Sequence, residues 1–218
     1  MCVAPCAGQA PDTASFTASG IAVSLVLHDR GARPLRTEAE RVLRAGLEEF
    51  TGIFDGPPRG PAGRPGLALT VNLSTGVAGE GDSDPGVVTV VAGERPVFGF
   101  YTWRLTLLHE LFHLWSAESF RYRDDREQWF NEGAAEYYTL RTATRRGLVA
   151  PEASPAIAAA AAGFYTSAPG LGRISLREAG STPANKREHY FLVYHGGWMA
   201  ATMLDVDIRR RTGGKRSL

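Results

Sequence analysis

The chain has 218 residues, 44% of them hydrophobic, and a formal net charge of +1. That length allows one sizeable domain or two small ones, and that hydrophobic content excludes global disorder. The near-neutral balance excludes a strong pull toward nucleic acid or anionic membrane, and no stretch approaches the length of a membrane span.

In chain order, the opening MCVAPCAGQAPDTAS is small and apolar and then turns polar. Residues 1–18 read as a leader, resembling the tail of a secretory signal without its basic and long apolar regions. An exported (periplasmic or secreted) protein and a cytoplasmic one with an unstructured leader both fit. Cys2 and Cys6 lie in this stretch and are the only cysteines, so no cysteine-based metal site is expected in the body of the fold.

Residues 19–218 are expected to form a single domain, strands mostly over 21–92 and helices mostly over 102–212. Ile21–Leu27 (IAVSLVL) is β-branched and aliphatic and reads as a strand. Thr37 with Glu40 makes a T-x-x-E capping box, and Val42, Leu43, Leu47 and Phe50 recur at helical spacing behind it. Gly52–Gly66 is a Gly/Pro loop. Leu67–Leu73 and Val87–Ala92 read as strands, with Gly76–Gly86 a polar turn between them. Helices are expected over Thr102–Ser116, Arg126–Arg146, Pro155–Phe164 and Glu188–Arg211, the last stopped by Gly213-Gly214. Strands first and helices after argue for an α+β class rather than alternating βαβ units. Lys215–Leu218 stands where another helix would begin, which leaves open a C-terminal truncation.

The chemistry concentrates in His109-Glu110-Leu111-Phe112-His113, an H-E-x-x-H pattern. On a helix, positions four apart share one face at roughly 6 Å, so both imidazoles can reach one zinc ion. Glu110 is placed to hold a water and act as base. Leu105, Leu108, Phe112 and Trp115 give the helix an apolar flank that would keep the site rigid. Glu132 follows His113 with eighteen residues between, at the start of another helix. Three protein ligands with a fourth position left for water is the rule for catalytic zinc, and His109, His113 and Glu132 meet it with one Zn2+ per chain. Glu136, one turn after Glu132, can reach a histidine ligand and fix its tautomer; Asn131, beside Glu132, joins it as a supporting residue.

HExxH, eighteen residues, then Glu within N-E-G-x-A-E-Y resembles the gluzincin metallopeptidases of the M1 aminopeptidase type. HELFHLW, WFNEGAAEYYTLRTATRRGLVAPE and YHGGWMAATMLDVDIRRRTGGKRSL resemble more closely the M61 glycyl aminopeptidase family, over Thr102–Leu218. The resemblance implies a thermolysin-like gluzincin core, zinc-dependent hydrolysis of a peptide or protein substrate, and catalysis by Glu110. It also implies a tyrosine that donates a hydrogen bond to the oxyanion. Tyr194 occupies that place, with Gly196 where the family has lysine, and Tyr190 is the fallback. Where these families carry an amine-gripping glutamate, this chain reads Pro85–Val90 without an acid. An edge strand there would align a peptide through its backbone alone, which leaves exopeptidase or endopeptidase action open. A non-catalytic zinc-containing binding module and a zinc hydrolase of a non-peptide substrate are the rival readings. His28 reads as a surface residue, His189 and His195 as structural, and Asp205 and Asp207 as ion-pair partners of nearby arginines.

Overall fold

Ile21–Leu27 alternates buried with more exposed residues, the mark of a strand with one face covered. A computed structural model describes residues 10–58, 68–119 and 127–218, without the side chains of 117–119. Cys2, Cys6, the signal-like stretch to residue 9, most of the Gly52–Gly66 loop, Leu67 and Arg126 lie outside the described residues. The chain divides into two compact units, Met1–Glu110 and Leu111–Leu218, and the division falls inside one continuous helix.

The first unit holds a five-stranded sheet in the order β1-β2-β3-β5-β4. Its strands are β1 (Asp12–Ala18), β2 (Ile21–Leu27), β3 (Ala68–Gly76), β4 (Glu80–Asp84) and β5 (Val87–Gly93). β2, β3 and β5 run parallel, while β1 and β4 pair antiparallel at the two edges. Leu25, Leu27, Val71, Leu73, Val88 and Val90 are fully buried, as are Val42, Leu43, Leu47 and Phe50 of α1 (Arg36–Ile53). Arg44 of α1 lies over the Phe16 ring at 4.4 Å and donates to the Thr17 carbonyl at 3.0 Å, tying β1 to the helix.

Several expectations change here. The α+β class stands, with a small N-terminal sheet and a mostly helical remainder, but β2-α1-β3 is one βαβ crossover inside it. Asp12–Ala18, expected to end a leader, pairs along its whole length with β2. The polar Gly76–Gly86 turn contains β4, so the edge strand is Glu80–Asp84. Val87–Val90 sits inside the sheet between β3 and β4. The Thr37 capping box does not form. Pro34 opens a 3-10 turn over Arg33–Leu35, the helix starts at Arg36, and Glu40 pairs with Arg36 at 3.1 Å.

The helix that crosses the division is α2 (Trp103–Ser119), with Leu105, Leu108, Phe112 and Trp115 all buried. The second unit continues with α3 (Gln128–Arg145), α4 (Ser154–Thr166), α5 (Leu176–Ala179), α6 (Pro183–Glu188), a π-helical turn (Leu192–Gly196) and α7 (Gly197–Thr212). The helix expected over Glu188–Arg211 is thus two different geometries in series. α3 and α7 cross backbone to backbone. A Cβ on Gly133 would come within 2.1 Å of the Gly197 carbonyl carbon, and one on Gly197 within 2.1 Å of the Trp129 carbonyl oxygen. Asp205 of α7 pairs with Arg209 at 2.6 Å and also accepts from the Tyr137 hydroxyl of α3 at 2.6 Å, adding a polar tie to that crossing. Asp207 pairs with Arg211 at 2.7 Å, so the arginine run is matched by acids as expected.

His195 sits 1% exposed between Phe164, Phe191 and Trp198, a structural place. Burial pushes its pKa down to about 4. The unfolded chain therefore binds the extra proton first, and native stability falls as pH drops from about 6.5 toward the folded value.

Two outcomes follow for unfolding experiments. Gly133→Ala has only backbone to collide with and should lower stability by about 3 kcal/mol in urea denaturation, the upper end for overpacking. Against His195→Phe, wild type should lose stability selectively between about pH 6.5 and 4, with a constant difference above that window; parallel profiles throughout would contradict the buried neutral imidazole.

Candidate metal centre

α2 carries His109 and His113 one turn apart, and α3 carries Glu132 in its second turn. His109 is 6% exposed and Glu132 5%, unusual burial for such polar side chains. One ligand atom from each of the three lies within 4.8 Å of the others.

Hydrogen bonds decide which atoms face inward. The Ser116 hydroxyl donates to Asn131 Oδ1 at 2.9 Å, so it is an acceptor for His113 Nδ1 at 3.3 Å. A neutral His113 that donates from Nδ1 has a bare lone pair on Nε2. That nitrogen faces Glu132 Oε2 at 3.3 Å. In that tautomer two acceptors would face each other, and a cation between them would turn their repulsion into ligation. His109 Nδ1 lies 3.2 Å from the Tyr101 hydroxyl, which ties the orientation of this ring to the loop before α2. Two imidazole nitrogens and one carboxylate oxygen are a donor set suited to zinc.

Glu110 is 9% exposed, and its Oε2 accepts from the Ser83 hydroxyl of β4 at 3.0 Å. Gly81 of the same strand lies against the other oxygen; a Cβ there would come within 2.7 Å of Oε1. Gly81 and Ser83 thus face Glu110, while Glu80, Asp82 and Asp84 alternate to the opposite, exposed side.

Tyr194 stands in the π-helical turn, its ring stacked on Tyr190 at 4.1 Å. The Lys186 ammonium lies 5.2 Å from the Tyr194 ring centre and also contacts Glu132 Oε1, which brings Tyr194 to the neighbourhood of Glu132. Glu136 is 3% exposed, one turn beyond Glu132 on α3.

Ser116, Tyr101, Ser83 and Lys186 are missing from the sequence reading. Ser116, one turn after His113, is the only one with a local spacing signal. Tyr101 leaves a tight loop closed by reciprocal Val97–Tyr101 hydrogen bonds at 2.8 Å, with Phe98 at φ 54° and Gly99 at φ 80°. A phenylalanine in the left-handed region is uncommon and strained, and nothing in its sequence context announces it.

No protein-family profile matches this chain, and no curated protein matches it. Among solved structures, it is similar to the crystal structure of an aminopeptidase N family protein from Idiomarina loihiensis, with a TM-score of 0.71 at 15% identity. The match covers 95% of this chain and 39% of that one. The chain therefore has the fold of a segment of an aminopeptidase N family protein.

Added zinc should raise the unfolding temperature and a chelator should reverse it, the gain reaching about 2.7 kcal/mol at a hundredfold excess over Kd. His113→Ala and Glu132→Ala should each abolish the shift, as differential scanning fluorimetry would show.

Proposed function

We propose that this chain is a thermolysin-like gluzincin catalytic core, of the M61 glycyl aminopeptidase kind, that hydrolyses peptides with one zinc ion. The observation that carries the reading is the convergence of His109, His113 and Glu132 in one largely buried group, with His113 Nε2 3.3 Å from Glu132 Oε2. Similarity of fold to an aminopeptidase N family protein supports it independently of those side chains.

His109, His113 and Glu132 would hold the zinc, which would supply Lewis-acid polarisation and bring the pKa of water down toward about 7. The chain's own groups do the rest. Glu110 takes the proton of the attacking water on Oε1, the oxygen beside Gly81, because Ser83 occupies Oε2. It passes that proton to the leaving amine as the new C–O bond replaces C–N, a role typically worth about a hundred- to ten-thousand-fold. Tyr194 donates its hydroxyl proton in a hydrogen bond to the oxyanion. Asn131 acts on His113 through Ser116, and Glu136 completes the support of the ligands.

The edge of β4, outermost strand of the sheet among the described residues, whose Gly81 and Ser83 face Glu110, is the place where an extended peptide adds as a strand. Its acids point away from Glu110, so recognition there runs through backbone hydrogen bonds rather than through a free amino terminus. That favours a peptide substrate over a small ester or amide, and leaves cleavage position to side-chain fit.

Glu110→Gln should keep its zinc by elemental analysis and lose about a hundred- to ten-thousand-fold of cleavage. A mixed peptide digest read by mass spectrometry, with and without chelator, supplies the activity. Full cleavage by Glu110→Gln would remove Glu110 as base.

A further inference from the structure

Lys186 has no part in the reaction as described, yet it touches two members of the site. Its ammonium meets Glu132 Oε1, while Glu132 Oε2 faces His113 Nε2 at 3.3 Å. The same ammonium lies 5.2 Å from the centre of the Tyr194 ring. A cation in that place divides the work of the two carboxylate oxygens: one is held by Lys186, the other is turned to the centre.

The short helix that carries Lys186 is fastened at several points. Thr182 caps it, accepting from the Asn185 N–H at 3.1 Å. The Asn185 side chain donates to the Glu178 carbonyl at 3.2 Å and to the Ser181 hydroxyl at 3.0 Å, locking α6 to α5. α5 in turn meets the start of α3. Arg177 pairs with Glu127 at 3.3 Å, and Gly180 lies so close that a Cβ there would be 2.9 Å from the Trp129 nitrogen. Trp129 stands three residues before Glu132. The Lys186 side chain is 27% exposed, so a flexible cation that water could have kept is instead directed inward.

We propose that Lys186 is a positioning residue of the metal centre: it holds Oε1 of Glu132 so that Oε2 alone is presented as ligand, and it ties that ligand to Tyr194. The inference rests on the zinc reading above and deepens it. Hydrogen-bonded carboxylate ligands are oriented by such outer partners, whose loss typically weakens metal binding about 10- to 100-fold. A lysine is suited to the place as a compact point charge with several donors, able to serve the carboxylate and the ring face at once.

The test uses the full chain as wild type, Lys186→Met and Lys186→Arg. Zinc affinity is measured by equilibrium competition with a chromophoric chelator, and visible spectra are recorded after cobalt(II) replaces zinc. Lys186→Met should bind zinc about 10- to 100-fold more weakly. Its cobalt spectrum should change in intensity as the second carboxylate oxygen is released to the metal. Lys186→Arg should restore affinity and spectrum toward wild type, which a general loss of stability would not do. Where Lys186→Met does not fold, Lys186→Gln replaces it under the same criteria. Unchanged or tighter zinc binding with a wild-type cobalt spectrum overturns the role of Lys186 and leaves the zinc centre standing. Failure of wild type to bind zinc overturns both.

Discussion

The crossing of α3 and α7 is the constraint on which the second unit depends. Gly133 and Gly197 let the two backbones meet with no side chain between them. Glu132 is the neighbour of one glycine, and Tyr194 lies three residues before the other. Fixing the crossing therefore fixes the third proposed ligand and the proposed oxyanion donor relative to each other. Asp205 strengthens it. Burial alone would raise that carboxyl, but hydrogen bonds from Arg209, Tyr137 and the Leu218 N–H outweigh burial and hold it below the usual range.

The same logic explains the glycine in the sequence Asn131-Glu132-Gly133. Its conformation is ordinary helix; what it lacks is a Cβ, and the space a Cβ needs is already filled by α7. Gly81 plays the corresponding part for Glu110, where β4 comes against the proposed base. At Gly133 the neighbour is the backbone of α7, and at Gly81 it is the side chains of Glu110 and Thr106. Close approach of this kind orients carboxylates without spending side chains on the task.

Much of this was legible in the sequence, for physical reasons that also mark where legibility stops. β2 and the α1 apolar stripe were readable because burial imposes a period on aliphatic residues, and Val42, Leu43, Leu47 and Phe50 are all fully buried. β4 was not, because Glu-Gly-Asp-Ser-Asp at a sheet edge buries little and carries no aliphatic signal. β1 was mistaken for a leader because small residues serve an edge strand as well as a signal tail. The two histidines were readable because a helix turns a separation of four into one face, and Glu132 from the eighteen-residue interval and the need for a third ligand. Lys186, 54 residues from Glu132, and Ser83, 27 from Glu110, were not. Their placement depends on how short helices and an edge strand dock, which no local pattern encodes. The π-helical turn under Tyr194 escaped for a similar reason, its extra residue being set by packing beside the α3–α7 crossing.

Zinc K-edge X-ray absorption on the metal-loaded chain tests the central claim most directly. The account predicts only nitrogen and oxygen neighbours at about 2.0–2.2 Å, with the multiple scattering of two imidazoles, and loss of that pattern in His113→Ala. Sulfur neighbours at about 2.3 Å, or a shell without imidazole scattering, would contradict a centre built from His109, His113 and Glu132.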